Sequence, residues 1–110
     1  MGGNETDAFA RLFMIPGMQH CWDGPGPDSF GEEAVAENKD PRHNIVVALE
    51  QWVEKGIAPN EIIATKYAEG APAKSVKMTR PLCPYPQIAK YKGSGDSNDA
   101  GNFVCVAASK

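Results

Sequence analysis

The sequence predicts an α/β fold, and three observations carry the prediction. A short apolar run from Phe9 to Ile15 is stopped by Pro16-Gly17, an apolar stripe at helical spacing lies between Pro41 and Lys55, and a β-branched stretch from Ile62 to Tyr67 follows it. The order strand, long loop, helix, strand pair and irregular tail is that of the end of a larger α/β domain.

The first run is dominated by Phe9, Leu12, Phe13, Met14 and Ile15. A continuous apolar run closed by Pro-Gly reads as a strand buried on both faces, as in a parallel sheet. Residues 1–8 precede it as a disordered start. From Gln19 to Lys39 the chain is irregular, with "GPGP" and then the acidic "GEEAVAENKD", of which Glu32 to Glu37 has the composition of a turn or two of helix. Long irregular stretches in small domains are commonly functional.

The helix is expected over Pro41 to Lys55. Asp40 is a good N-cap and Pro41 suits the first helical position. Ile45, Ala48, Leu49, Trp52 and Val53 form one stripe, with Glu50 and Glu54 on the other face. Gly56 suits the left-handed position after the last turn, and Pro59 prevents continuation. Ile62 to Tyr67 then reads as a strand, "AEGAPAKS" as a hairpin loop and "VKMTR" as the returning strand. The remainder, rich in Pro and then in Gly, Ser, Asp and Asn, reads as irregular chain that ends in a short strand at "NFVCV".

Composition narrows the classes. The chain has 110 residues, 23% of them charged, and a net charge of −3. That is one domain at most, with neither a nucleic-acid surface nor an affinity for anionic membranes. No apolar run reaches the length of a membrane span. The start "MGGNETDAF" has neither the basic residues nor the apolar core of a signal peptide.

Cys83 and Cys105 bracket a Pro/Gly/Asn-rich stretch with little core of its own, where a loop-closing disulfide stabilises most. Cys21 is then the odd cysteine, either a free thiol or one paired outside the chain. A zinc site from His20, Cys21, His43 and a distant cysteine lacks the paired ligands at short spacing that such sites show, so no metal is expected. His43, near the start of the helix, reads as a surface residue.

His20 has two readings. It is a loop histidine bonded to a carbonyl, or it is a general base, since it follows the carboxyl end of a strand where α/β enzymes collect their chemistry. None of Ser29, Ser75, Ser94, Ser97 and Ser109 sits in a G-x-S-x-G elbow, and Cys21 is too close in sequence to face His20 as a nucleophile. Asp23 and Asp28 read as turn caps more readily than as acids that orient His20. A base is present without its nucleophile.

Three blocks, "RLFMIPGMQHCWDGPGPDSFG", "ALEQWVEKGIAPNEIIAT" and "RPLCPYPQIAKYKGSGDSNDAGNFVC", resemble the C-terminal part of the tannase and feruloyl esterase family. The resemblance covers Phe9 to Cys105 with the blocks in order, and implies an α/β-hydrolase fold with a Ser-Asp-His triad acting on aromatic acid esters such as ferulates or gallates. On that pattern His20 is the triad histidine. Cys21 is half of a disulfide to the cysteine before the catalytic serine, which, with the aspartate, is expected upstream of Met1. The family's lid and its calcium site would lie outside this chain as well, so no cofactor is expected in this segment. Trp22 either lines the substrate rim or packs the loop. The parent protein is expected to be secreted or periplasmic, and this chain alone inactive. The alternative is a small non-catalytic, disulfide-stapled binding or structural module.

Overall fold

The computed structural model describes residues 6, 8–19, 24–31, 40–68 and 76–108. Among them is one helix of two or more turns, α1 (Ile45–Lys55), and four strands, β1 (Ile62–Tyr67), β2 (Val76–Leu82), β3 (Gln87–Tyr91) and β4 (Phe103–Ala107). The strands form two antiparallel pairs, β1 with β2 and β3 with β4. No helix among the described residues is long and apolar enough to cross a membrane. The start at residues 1–5, the stretch from Glu32 to Glu37 and the hairpin loop at 69–75 lie outside the described residues.

Helix α1 starts later than its capping signals predict. Asn44, not Asp40, is the N-cap: its Oδ1 accepts the N–H groups of Val46 at 3.0 Å and Val47 at 3.1 Å. Asp40 instead closes a turn, with its Oδ1 accepting the Arg42 N–H and its carbonyl accepting the His43 N–H. The reason is tertiary. The Arg42 carbonyl accepts the N–H of Ile63 at the start of β1, so it is committed to the sheet rather than to a helical turn. The C-terminus is as predicted: Gly56 has φ 71°, and its N–H returns to the Trp52 carbonyl.

The strand buried on both faces is β1 and not the segment from Phe9 to Ile15. Ile62, Ile63, Ala64 and Thr65 are all buried, with Ile62 and Ala64 at 0% exposure. Among the described residues the earlier segment makes a single bridge, Phe13 with Pro84, and Phe9, Leu12 and Met14 are more than half exposed. A parallel strand needs neighbours on both sides, and none of the described strands flanks this one. Its inner side chains still contribute to the core: Phe13 and Ile15 pack with Met18 and Ile45 on a cluster of Phe30, Ala48, Ile62, Ala64 and Leu82. Arg11 ties the same segment to the helix. It donates to the Pro59 carbonyl and to Asn60 Oδ1, and its guanidinium lies 5.6 Å from the Trp52 ring centre.

The tail is more regular than its composition predicts. β3 pairs with β4 in the register Ala89 with Cys105 and Tyr91 with Phe103, and all five β3 residues are exposed. With no buried face, β3 has no apolar alternation to betray it. Its order comes from the ladder and from the disulfide between Cys83 and Cys105, which spans a sequence separation of 22 and holds the Cα atoms 5.7 Å apart.

Candidate active site

His20, Cys21, Trp22 and Asp23 lie outside the described residues, whereas the chain on either side of them is held at several points. The Gly26 N–H donates to the Gly17 carbonyl at 2.8 Å, which closes the base of the span containing these four residues. The closure requires glycine. Gly17 and Gly24 have φ of 81° and 98°, in the left-handed region that side chains disfavour. A Cβ on Gly24 would overlap the Gly17 carbonyl oxygen, and one on Gly26 the Pro16 carbonyl oxygen.

Both sides of this base are fastened to the strands. On the leading side, the Tyr85 N–H donates to the Leu12 carbonyl at 2.6 Å, next to the Phe13–Pro84 bridge. Cys83 directly precedes Pro84, so the disulfide to β4 secures the corner on which this side rests. On the returning side, Ser29 and Thr65 exchange N–H to carbonyl bonds of 2.9 and 2.7 Å, and Asp28 N–H adds a third to the Thr65 carbonyl. Lys66 Nζ bonds the Gly24 carbonyl at 2.9 Å and lies 3.6 Å from the Asp28 carboxylate, both side chains being largely buried. Asp28, read from the sequence as a turn cap, is thus a partner of Lys66. The sequence pointed to His20 and Cys21 but not to this frame. Its signal was the spacing of Gly17, Gly24 and Gly26 with the prolines at 16, 25 and 27.

The base of the span also forms one wall of a cleft. Pro16, Gly17, Pro25, Gly26 and Pro27 face Met78, Leu82, Ile88 and Phe103 across a space of about 670 Å³. That is within the size range of small-molecule sites, and its lining is mostly apolar. The other sequence-predicted residues fall elsewhere. Cys83 and Cys105 are bonded to each other. His43 sits in the turn before α1, half-buried, with Nδ1 3.5 Å from Asp40 Oδ2. The hydrogen bond from the Arg42 N–H holds the Asp40 carboxyl below its ordinary range.

Tannase and feruloyl esterase is the family whose sequence profile matches residues 1–106. The chain belongs to this family. Tannase-family relatives agree: it is 51% identical over 104 residues to an uncharacterized esterase of Xanthomonas campestris pv. campestris, a match that covers 93% of this chain and 18% of that protein. It is 48% identical over 99 residues to the mono(2-hydroxyethyl) terephthalate hydrolase of Piscinibacter sakaiensis, covering 90% of this chain and 14% of that enzyme. A crystal structure of an esterase from Aspergillus oryzae superposes with a TM-score of 0.87 at 39% identity, over 96% of this chain and 21% of that one. The feruloyl esterase B of the same organism gives 0.83 at 33% identity, again over 96% of this chain and 21% of that one. The tannase-family chain therefore spans about a fifth of the length of the relatives it matches.

Proposed function

We propose that this chain is the histidine-bearing segment of a serine carboxylic-ester hydrolase that cleaves aromatic acid esters of the feruloyl or galloyl type. The observation that carries the reading is the family match across residues 1–106, to which the esterase relatives add the reaction class. The apolar cleft beside the base of the His20 span supports an aromatic substrate.

In this reading a serine from the remainder of the enzyme attacks the ester carbonyl. His20 accepts the serine proton, then returns it to the departing alcohol, while an aspartate from the same remainder orients the imidazole. Cys21 forms its disulfide with a cysteine outside this chain and keeps base and nucleophile in register, and Trp22 lines the substrate rim. The chain by itself has no turnover, because it supplies a base without a nucleophile. The parent protein is secreted or periplasmic, where both disulfides persist.

The test is hydrolysis of methyl ferulate and methyl gallate by the complete protein, by its His20→Ala variant and by this chain alone. Turnover by the complete protein, with a loss of at least ~10⁴-fold in the variant and none by the chain alone, is expected. His20-dependent turnover by the chain alone would place the nucleophile within it. No turnover by the complete protein would leave the non-catalytic module as the reading.

A further inference from the structure

We propose that Lys66 is a positioning residue for the ester chemistry: through the Gly24 carbonyl it holds the returning end of the span that contains His20. The proposal deepens the esterase reading and rests on it.

Lys66 differs from the other fastenings of the span in where it reaches. The Gly26 N–H and the Gly17 carbonyl close the span at its base, and the Ser29–Thr65 bridge lies beyond that closure. Lys66 Nζ bonds the carbonyl of Gly24, which is inside the closure and follows His20 by four residues. The same Nζ lies 3.6 Å from Asp28 Oδ2, on the outer side. One side chain from β1 thus links the two sides of the closure.

The strand is shaped for this. Ile62 to Thr65 are buried, and the next residue brings a long charged side chain that is 13% exposed. The β1–β2 ladder changes register at the same point: Lys66 is opposite Met78 and Tyr67 opposite Val76, with Lys77 as the extra residue of β2. A bulge strengthens the local twist and re-aims side chains, and bulges recur beside active sites for that reason. Stability does not account for the pair. Desolvation of two charges offsets most of their attraction, so a buried pair contributes little net and apolar groups often replace it without loss. What the pair supplies is a single arrangement, since Nζ reaches both acceptors only with Gly24 and Asp28 in these places.

The test is the double variant Lys66→Met, Asp28→Asn, which removes the Nζ contacts without stranding a buried charge. In this chain the urea midpoint is expected to stay close to that of the unsubstituted sequence, while amide exchange in the peptide spanning 18–27 speeds up. In the complete protein, kcat on methyl ferulate is expected to fall by about a hundredfold with KM unchanged, because the base is misplaced and the substrate is still bound. Lys66→Arg alone, which keeps charged donors on a long side chain, should restore most of kcat. Where the double variant does not accumulate, Lys66→Gln takes its place under the same criteria. Unchanged amide exchange overturns the proposal, as does a kcat that falls only in step with the urea midpoint. A complete protein that turns over no ester removes the esterase reading and the positioning role with it. Turnover that is undiminished in the variant overturns the positioning role alone.

Discussion

The N–H of Gly26 meets the carbonyl of Gly17 at 2.8 Å, and this bond closes the base of the span that contains His20 and Cys21. Two glycines that carry no chemistry thus make the contact between the described chain on either side of the proposed catalytic histidine. The backbone there takes conformations that a side chain would disturb.

Gly24→Ala tests this most sharply, since the residue combines a left-handed φ with a Cβ that would overlap the Gly17 carbonyl. A loss of about 1–3 kcal/mol is expected in urea unfolding. In the complete protein the same change should lower ester turnover further than its stability loss explains, because misplacing a catalytic group by about 1 Å costs roughly a hundredfold. Full activity in Gly24→Ala would mean that the closure does not position His20.

The three cysteines should behave differently. In this chain Cys21 is expected to react with iodoacetamide without denaturant, and Cys83 and Cys105 to be protected until reduced. The Cys83–Cys105 bond should stabilise the fold by about 3 kcal/mol, read as the shift in unfolding midpoint when both are replaced by serine. A tryptic map that finds Cys21 joined to either of the others would contradict this pairing. In the complete protein, Cys21→Ala should cost about a hundredfold in turnover if its disulfide keeps base and nucleophile in register.

The helix start supplies a stability test independent of function. Asn44 is 3% exposed and its side chain caps α1 through two N–H groups. Asn44→Ala should cost about 1–2 kcal/mol, whereas Asp40→Ala should leave the helix intact. The reverse ranking in thermal melts would restore Asp40 as the cap.

Asp40 makes a pH prediction. Its carboxyl is held below the ordinary range of an aspartate, chiefly by the hydrogen bond from the Arg42 N–H. A depressed folded-state pKa means that the stabilising hydrogen bond is fully present above the unfolded value and is lost as pH falls through the lower, folded one. An NMR titration should place the Asp40 midpoint below that of an aspartate in an unfolded peptide, with the Arg42 amide shifting over the same interval. A midpoint at or above that value would remove the bond from solution.

Much of the local structure was legible along the chain. The apolar stripe of α1, its stop at Gly56 and the strand from Ile62 to Tyr67 follow from side-chain period and backbone freedom, which act within a few residues. The pairing of Cys83 with Cys105 followed from a polar loop that needs closing, and the family from blocks that keep their order. Of the candidate site, the sequence marked the glycines and prolines around His20 but not what holds them, because Thr65, Lys66 and Pro84 reach them only through folding.

The tertiary structure decided what depends on distant partners. α1 begins at Asn44, and not after Asp40 as the local signal predicted, because the Arg42 carbonyl is bonded to Ile63, a partner brought there only by folding. β3 exists because β4 and a disulfide hold it, with no buried face to mark it in the sequence. Burial on both faces fell to β1 rather than to Phe9–Ile15, since burial is set by which neighbours are present and not by how apolar a strand is.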